Sequence, residues 1–321
     1  MCGIAGMMMR EGLKPSTTQL AIMSSALEHR GPDAEGKILL DNVGLAHRRL
    51  SIIDLETGGQ PMCDNEENYL IGNAEIYNYR ELISGMTNVE LKSKSDCEPP
   101  LHLYTRYGLD FVNHLRGMYA FAIYDKQRAR LVLARDPFGI KPLYFVEDSE
   151  GFFFASEVQA LLKAGCAERK LSKALVSQLL NKQFVAGAET VFPKINRVAP
   201  GEILVVEKGK IVKRHKTQAL SNAPILVSSL SELERDLDRE ISESVEFHQR
   251  SDVPYGLFFS GGIDSTCILA EMVRRTDRPV ITYTAGFDAG SVTDETNHAR
   301  NISEAVGASY SEIRITCDDF W

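Results

Sequence analysis

A cysteine stands at position 2, directly after the initiator methionine, in the segment Cys2-Gly-Ile-Ala-Gly6. Cysteine is small enough for Met1 to be removed, and one residue would then carry both a thiol and a free α-amino group. The thiol is a nucleophile, and an α-amine with an ordinary pKa near ~8 is a general base. The pair could perform acyl transfer without a catalytic histidine. Cys2 alone favours the other interpretation, a small apolar residue near a frayed chain terminus, and the segments farther along the chain favour the nucleophile.

Two polar segments interrupt apolar runs that are typical of strands. Arg48 and Arg49 stand among apolar residues, and because neighbouring strand residues face opposite sides, one of them could enter a pocket. For Arg49, the residues alone favour a solvated surface charge. Asn73-Ala74-Glu75 ends an apolar run, and an asparagine amide beside a backbone N–H could donate two hydrogen bonds to an oxyanion. A turn-forming asparagine next to a surface glutamate is the alternative there.

Acidic residues precede a predicted helix at Leu101–Tyr107. The segment Ser95-Asp-Cys-Glu98 places Asp96 where a carboxylate could cap the helix N-terminus. The position therefore favours a capping role for Asp96, although a ligand is another partner that a polar group in such a place can have.

A glycine-rich turn, Ser260-Gly-Gly-Ile-Asp-Ser265, follows a predicted strand at Tyr255–Phe259 and precedes a predicted helix at Thr266–Arg275. Backbone N–H groups and the helix dipole at such a junction bind pyrophosphate. The segment lacks the lysine of the Gly-x-x-x-x-Gly-Lys loop. An ordinary turn is the alternative, but the order strand, turn, helix favours phosphate binding.

Short strands dominate the chain as far as about residue 215. They predict an α+β fold with stacked antiparallel sheets. The predicted elements are strands at Ile4–Met9, Tyr69–Ile76, Phe152–Ala155, Ile203–Glu207 and Lys210–Lys213, a hairpin turn at Asp125–Arg128, and helices at Thr17–Leu27 and Leu175–Leu180. Two further apolar segments, Val43–Ala46 and Leu50–Ile53, flank His47-Arg48-Arg49.

The remainder of the chain alternates strands with helices, which predicts the start of an α/β doubly wound parallel sheet. Besides the strand and helix around the glycine-rich turn, we predict helices at Leu230–Gln249 and Glu295–Val306 and a strand at Val280–Ala285. The predicted domains are residues 2–215 and 230–321. A Ser/Pro/Asn-containing linker at 216–229 separates them.

Composition narrows the classes of function. The chain has 321 residues, 44% of them hydrophobic, and a net charge of −8, which gives no reason to expect nucleic acid or an anionic membrane as a partner. Six scattered cysteines without metal-site spacing indicate reduced thiols in a cytoplasm. We predict no signal peptide and no membrane-spanning helix.

Six spaced segments of the first part resemble the glutaminase domain of class II glutamine amidotransferases. They are Cys2–Gly6, His29–Asp33, His47–Asp54, Asn73–Asn78, Ser95-Asp96 and Ala134–Tyr144. Ser260–Ser265, preceded by Asp252–Gly256, resembles the PP-loop of glutamine-hydrolysing asparagine synthetase. The resemblance runs through essentially the whole chain in family order. It implies an N-terminal-nucleophile hydrolase sandwich followed by an adenine-nucleotide α-hydrolase-like synthetase domain.

The resemblance also implies roles for individual residues. Cys2 would attack the glutamine side-chain amide, assisted by its own amine, while Asn73 Nδ2 and the backbone N–H of Ala74 form the oxyanion hole. Arg49 would bind the α-carboxylate of glutamine, and Glu75 and Asp96 its α-ammonium group. The residues that would line the same pocket are Leu50, Ser51, Ile52 and Ile53.

In the second domain the resemblance implies a site for ATP with Mg²⁺ between its phosphates, and no metal ligand from the protein. The nucleotide-binding residues would be Phe259, Ser260, Gly261, Gly262, Asp264, Ser265 and Ala285. Ammonia would pass internally to a β-aspartyl-AMP, giving asparagine, AMP, pyrophosphate and glutamate. The implied partners are glutamine, aspartate and ATP, and a homodimer stays open.

Two departures from the family pattern bear on activity. Ala74 replaces a glycine, and if that residue needs a positive φ, alanine adds strain of about 1 kcal/mol, so Ala74→Gly would raise the glutaminase rate. The chain also stops at Trp321, about a third of the way into the family's synthetase domain and before an acidic Gly-Glu-Gly-Ala-Asp-Glu-like segment. A sheet ending after two β-α units would expose an apolar edge.

Three functions are therefore compatible with the sequence. The favoured one is glutamine-dependent asparagine synthesis, by this chain or by a longer protein of which it is the N-terminal portion. The second is an amidotransferase that acts on another carboxylate. The third is a glutaminase or a nucleotide-binding regulatory remnant, which ATP-independent glutamine hydrolysis without an amidated product would identify.

Overall fold

The computed structural model describes residues 1–87, 89–220, 229–276, 278–287 and 294–320. The chain divides into two units, residues 1–222 and 223–321. The described strands of the first unit are β1 (Gly3–Met9), β2 (Ala34–Leu40), β3 (Val43–Arg49), β4 (Met62–Cys63), β5 (Asn68–Ile76), β6 (Gly117–Asp125), β7 (Arg130–Arg135), β8 (Tyr144–Glu147), β9 (Gly151–Ala155), β10 (Asn196–Arg197), β11 (Glu202–Glu207) and β12 (Lys210–Lys216).

These strands form two six-stranded sheets, in the orders β10-β8-β9-β1-β3-β2 and β12-β11-β7-β6-β5-β4. Neighbouring strands within both sheets are antiparallel. The main core lies between the two sheets, where Ile4 and Leu45 of one sheet join the same cluster as Ile71 and Leu133 of the other. The predicted stack of antiparallel sheets is therefore confirmed.

Helices cover the outer faces of both sheets. In chain order the helices of this unit are α1 (Thr17–Ser25), α2 (Tyr79–Gly85), α3 (Glu98–Tyr107), α4 (Val158–Lys163) and α5 (Lys173–Lys182), with 3-10 turns at Glu28–Arg30 and Gly108–His114. Helix α5 buries none of its residues. Leu20 of α1 and Leu161 of α4 pack on the first sheet, while Leu101 of α3 packs on the second. Because β1 is enclosed on both faces, all seven of its residues are buried, as its unbroken apolar run predicts.

The two apolar segments around His47-Arg48-Arg49 have different structures. Val43–Ala46 belongs to β3, which continues without interruption to Arg49, whereas residues 50–53 lie outside the strands. The long strand places His47 and Arg49 on the inner face with Leu45, while Arg48 projects to the opposite side.

The second unit contains a parallel sheet in the order β13-β14-β15. Its elements are α6 (Leu230–His248), β13 (Gly256–Phe258), α7 (Ile263–Arg274), β14 (Ile281–Phe287), α8 (Thr296–Ala305), β15 (Ser309–Ile315) and α9 (Cys317–Phe320). The parallel sheet is as predicted, but β15 adds a strand beyond the two predicted β-α units. Large apolar side chains are exposed here, and Phe258 and Ile263 are each 90% exposed.

Two predicted boundaries, the start of α7 and the linker, lie in or next to the second unit. Helix α7 begins at Ile263, three residues before the predicted start, so Asp264 and Ser265 lie in its first turn. Most of the predicted linker, residues 221–228, lies outside the described residues.

In the described ranges of the chain, no helix has the length and apolar character needed to span a membrane.

Candidate active site

The strand register brings Cys2 and Arg49 to the same end of the first sheet. In the β1–β3 pair, Gly3 lies opposite Arg48 and Ile4 opposite His47. Continuing this register by one residue places Cys2 opposite Arg49. Because side chains alternate along a strand, Cys2 and Arg49 share the inner face with Ile4 and His47.

Strand β5 supplies the facing side chains from the second sheet. Asn73 and Glu75 share the inner face with Ile71, whereas Ala74 and Ile76 pack on the outer face. The two sheets are joined near this point because His47 Nε2 donates a hydrogen bond to Gly72 O at 3.2 Å. Burial lowers the pKa of His47 to about 3. The inner face therefore brings residues of both sheets together at one end of the sandwich.

The Cys2 thiol is held by backbone groups. Leu50 N donates to Cys2 Sγ at 3.4 Å, and Sγ lies 3.6 Å from Leu50 O. Arg30 Nε donates to Cys2 O at 3.0 Å, and Arg30 Nη1 donates to Glu157 Oε1 at 2.9 Å. Burial raises the pKa of the Cys2 thiol. A base within reach is therefore needed to generate the thiolate near neutral pH.

An amine lies next to this thiol. Met1 is present in the structure, so the α-amino group belongs to Met1, and Cys2 contributes an amide nitrogen. Burial lowers the pKa of this amine, and the positive charges of Arg30 and Lys141 lower it further. A lowered pKa favours the neutral form, which is the form that accepts a proton. Removal of Met1 stays a prediction.

Asn73 has an unpaired donor. The residue is 1% exposed, and no group in the described part of the chain accepts a hydrogen bond from its Nδ2. A buried donor without an acceptor is costly, which makes this nitrogen a candidate for binding a ligand. The alternative of a turn asparagine is wrong, because Asn73 lies within β5.

Ala74 does not have the positive φ on which the strain expected from the family resemblance depends. It lies within β5 opposite Tyr119 of β6, and it is absent from the non-glycine residues of positive φ in the described ranges. The expected strain at Ala74 is therefore wrong, and with it the reason for expecting Ala74→Gly to raise the glutaminase rate.

Arg49 is buried, with 7% of its surface exposed, so the solvated surface charge that the residues alone favoured is wrong. Its Nη2 donates to Ile53 O at 3.2 Å and to Asp54 O, and its Nη1 donates to Leu55 O at 3.5 Å. These bonds fold the segment 50–55 around the guanidinium. Ser51 N is held in turn by Asp33 Oδ2 at 2.8 Å. The structure thus brings Leu50, Ser51, Ile52 and Ile53 beside Arg49.

Two acids adjoin the same site. Burial, together with the charge of Asp96, raises the pKa of Glu75 to about 7. Burial raises the pKa of Asp96 to about 6, although its Oδ2 accepts a hydrogen bond from Ile76 N at 2.8 Å. The capping role predicted for Asp96 is wrong, because Cys97 is the N-cap of α3 and makes no side-chain capping bond. Asp96 is bonded to β5 instead.

Two cations at the site have no role in the sequence interpretation. Arg30 holds the Cys2 carbonyl, and Lys141 is 2% exposed with its charge acting on Glu75 and Cys2. Both lie inside segments on which the family resemblance is based. A lysine between apolar residues in Gly139-Ile-Lys-Pro-Leu143 was the available signal, because lysine is rarely buried.

A separate candidate site lies in the second unit. Ser260 Oγ accepts from Gly262 N at 3.3 Å and lies 3.2 Å from Ser265 Oγ. Gly261 has a φ of +79°, and a Cβ there would lie 3.0 Å from His298 Cδ2. Gly262 is the N-cap of α7, so free N–H groups of its first turn adjoin the turn.

The predicted nucleotide-binding residues largely converge at this turn. A cavity of about 300 Å³ is lined by residues that include Phe259, Ser260 and Ala285. Asp264 is exposed in the first turn of α7 and does not line this cavity. Over the described ranges, no group of three or more His, Cys, Asp or Glu side chains could hold a metal ion.

Two protein-family models match this chain, each over a different part of it. The family model described as a glutamine amidotransferase domain matches residues 1–217. The model described as asparagine synthase matches residues 236–321.

Individual proteins are similar over nearly the whole chain. Asparagine synthetase [glutamine-hydrolyzing] 1 of Bacillus subtilis (strain 168) is 35% identical over 314 residues, covering 96% of this chain and 49% of that protein. Amidase chry2 of Gibberella zeae is 29% identical over 346 residues, covering 98% of this chain and 51% of that protein. The chain thus spans about half the length of these curated relatives.

A solved structure shares the fold. Glutamine phosphoribosylpyrophosphate amidotransferase from B. subtilis, complexed with ADP and GMP, aligns with a TM-score of 0.51 at 18% identity. The alignment covers 97% of this chain and 65% of that chain. At this identity the likeness supports the fold class alone.

Proposed function

The chain belongs to the glutamine amidotransferase family that includes the glutamine-hydrolysing asparagine synthetases, and on this basis we propose that it hydrolyses glutamine at Cys2. The observation that carries the proposal is the buried Asn73 Nδ2, which has no acceptor within the described residues. A donor of this kind, on the strand that faces Cys2, is what a tetrahedral oxyanion needs.

The proposed reaction begins once Met1 has been removed. The α-amine of Cys2 takes the thiol proton, and Sγ attacks the side-chain amide carbon of glutamine. Asn73 Nδ2 and the Ala74 N–H donate to the oxyanion that forms. The intermediate collapses as the amine returns the proton to the leaving nitrogen, which departs as ammonia. Water then attacks the thioester, releasing glutamate and regenerating the thiol.

Charge complementarity supports the proposed orientation of glutamine. Arg49 would bind the α-carboxylate; three hydrogen bonds to residues 53–55 hold its guanidinium, which has five N–H donors. Glu75 and Asp96 would bind the α-ammonium group, whose positive charge relieves the repulsion between them. The backbone of residues 50–53 would line the pocket.

For the second unit we propose ATP binding at the turn Ser260–Ser265. The residues assigned to the nucleotide are Phe259, Ser260, Gly261, Gly262, Asp264, Ser265 and Ala285. Backbone N–H groups at the start of α7 would hold the pyrophosphate, and Mg²⁺ would arrive with the phosphates and offset their charge. We assign no metal ligand to the chain.

The complete proposed reaction is glutamine-dependent asparagine synthesis. Aspartate and ATP would form β-aspartyl-AMP with release of pyrophosphate, and ammonia would displace AMP to give asparagine. We propose this for the protein of which residues 1–321 are all or part. A second candidate is amidation of another carboxylate, because the residues assigned to glutamine and ATP do not fix the acceptor. A glutaminase or regulatory remnant is the third.

The test supplies amide-¹⁵N glutamine, aspartate, ATP and Mg²⁺ and follows labelled asparagine and AMP. Labelled asparagine with equimolar AMP supports the full proposal. Glutamate and labelled ammonia that are indifferent to ATP support the glutaminase alone. Asn73→Ala should lower the glutaminase kcat by about 10²–10³-fold, the usual effect of removing one oxyanion donor. No glutamate from the unaltered chain would contradict the proposal.

A further inference from the structure

Asp54 joins two loops of the first unit. It belongs to the first loop, residues 50–57, and is 7% exposed. Its Oδ2 accepts a hydrogen bond at 2.9 Å from Lys94 N, which belongs to the second loop, residues 92–96. The two bonded residues are 40 positions apart in the sequence. The Asp54 carboxylate is therefore a direct link between two loops that are distant along the chain.

The backbone of Asp54 contacts Arg49. Asp54 has a φ of +55°, a left-handed conformation that aspartate adopts more readily than most residues. Its carbonyl oxygen accepts a hydrogen bond from Arg49 Nη2, which also donates to Ile53 O at 3.2 Å. A Cβ at Gly58 would clash with Arg49 Nη2 and lie 3.0 Å from Asp54 O, so this part of the chain encloses the guanidinium tightly. One residue thus contacts Arg49 through its backbone and Lys94 through its side chain.

Thr57 holds the Asp54 carboxylate in place. Oδ1 accepts from Thr57 N at 2.9 Å, and Oδ2 accepts from Thr57 Oγ1 as well as from Lys94 N. Burial would raise the pKa of Asp54, but these hydrogen bonds and the charge of Arg49 lower it below its ordinary value. The carboxylate is therefore ionised near neutral pH, and hydrogen bonds to an ionised acceptor are stronger than those between neutral groups.

The second loop is attached on both sides of Lys94. Before it, Lys92 N donates to Glu98 Oε1 at 2.7 Å. After it, Asp96 Oδ2 accepts from Ile76 N of β5 at 2.8 Å. Between these two attachments, the hydrogen bond from Lys94 N to the first loop fixes how far apart the two loops lie.

The two loops carry the opposite charges that the proposed glutamine site needs. Arg49, which the first loop encloses, would bind the α-carboxylate, and Asp96 of the second loop would bind the α-ammonium group together with Glu75. Both groups of glutamine are attached to one carbon atom, so they are bound together only when the loops keep a fixed separation. We propose that Asp54 is a positioning residue of the glutaminase site, which sets the separation of the α-carboxylate and α-ammonium subsites through its bonds to Arg49 and Lys94. This inference rests on the proposed glutaminase function.

Two analogues of glutamine distinguish this role from a purely structural one. Glutaramate is glutamine without its α-amino group, and 4-aminobutanamide is glutamine without its α-carboxylate, so each analogue uses one subsite. If Asp54 only stabilises the loops, its substitution should weaken the binding of all three ligands alike. If Asp54 sets the separation of the subsites, the loss should fall on glutamine, which uses both.

Asp54→Asn is the variant that tests the link. Asparagine also tolerates a positive φ, so the backbone conformation is kept. Its amide replaces one carboxylate oxygen with an NH₂ group, which cannot accept from Lys94 N while the remaining oxygen stays bonded to Thr57 N. The matched control is Asp110→Asn, which makes the same chemical change at an exposed position.

The experiment measures kcat and KM for glutamine, and the inhibition constants of the two analogues, in the unaltered chain and both variants. We expect Asp54→Asn to raise KM by about tenfold or more, the usual effect of losing a hydrogen bond to a charged group. The kcat should stay within about threefold, because the nucleophile Cys2 and the oxyanion donor Asn73 belong to neither loop. The inhibition constants of both analogues should change by less than about threefold. Asp110→Asn should stay within about twofold of the unaltered chain in every measurement.

Several results would overturn the inference. An unchanged KM in Asp54→Asn, an equal weakening of glutamine and both analogues, or a fall in kcat at constant KM would each do so. Circular dichroism checks folding, and Asp54→Gly, which adopts a positive φ without strain, replaces Asp54→Asn if the latter does not fold.

The outcomes also separate this inference from the function on which it rests. If the unaltered chain makes no glutamate, the proposed function itself fails. If the chain is active but neither analogue inhibits it, the two proposed subsites fail, and the role of Asp54 fails with them. If both analogues inhibit and KM does not respond to Asp54→Asn, only the role of Asp54 fails.

Discussion

Asp96 Oδ2 accepts a hydrogen bond from the backbone N–H of Ile76 at 2.8 Å, which ties the acid preceding α3 to the strand that carries Glu75. The two carboxyl groups are 21 positions apart in sequence but repel one another within one buried site. Glutamine carries a positive α-ammonium group, and its binding would relieve this repulsion. The bond between Asp96 and Ile76 is therefore central to how the site would select its substrate.

The first prediction concerns pH. The pKa values of Glu75 and Asp96 are raised to about 7 and about 6, so both acids are ionised only above this range. We expect kcat/KM for glutamine to rise between pH 6 and 7. Asp96→Asn should lower the plateau and shift the rise to lower pH, because removing one negative charge lowers the pKa of Glu75. An identical profile in Asp96→Asn and in the control Asp110→Asn would contradict this.

A second prediction concerns Ala74. Since its backbone is extended within β5, a glycine relieves no strain. Ala74→Gly should leave the glutaminase rate within about twofold and reduce the free energy of unfolding by roughly 0.5–1 kcal/mol, the cost of glycine's extra freedom. The rate assay and urea unfolding test both parts. A clear rise in rate would restore the strain hypothesis.

Another prediction uses His47. Its pKa is lowered to about 3, so below pH 6.5 the unfolded chain takes up a proton that the folded chain does not. Stability conferred by neutral His47 should therefore decline as pH falls, by about 2 kcal/mol between pH 7 and pH 5. Urea unfolding at both pH values measures this. His47→Gln should lose correspondingly less stability over the interval; an equal loss in both proteins would refute the assignment.

The fourth prediction compares two glycines of the second unit. Gly261 and Gly307 both have a φ of +79°, but a Cβ at Gly261 would lie 3.0 Å from His298 Cδ2, whereas at Gly307 nothing lies within 4 Å. Alanine strains the backbone at either position by about 1 kcal/mol. Only Gly261→Ala should weaken ATP binding, by tenfold or more in titration calorimetry. Equal affinities in the two variants would argue against a phosphate site at this turn.

Sequence periodicity predicted much of the framework because it depends on local patterns. The apolar run of β1 indicated burial on both faces. Alternation along a strand indicated that one of Arg48 and Arg49 could point into a pocket, but the residues alone favoured a solvated charge for Arg49. The capping hypothesis for Asp96 failed because its partner, Ile76 N, is distant in sequence. A local pattern favours a cap whenever an acid precedes a helix.

Other features depended on three-dimensional packing. The burial of Lys141 follows from the loop that Arg135 and Asp136 hold, and lysine in a loop is ordinarily exposed. The conformation of Ala74 follows from pairing with Tyr119, which no single strand specifies. The family resemblance named the acids of the site but assigned no role to Lys141.

The most direct test of the account compares the unaltered chain with Cys2→Ser in amide-¹⁵N glutamine without ATP. Serine is also small enough for Met1 removal, so the variant changes the nucleophile and keeps the α-amine, and intact mass checks the processing of both. We predict glutamate and labelled ammonia in equal amounts from the unaltered chain and neither from Cys2→Ser. Equal hydrolysis by both proteins, or none by either, would contradict the assignment of Cys2 as the nucleophile.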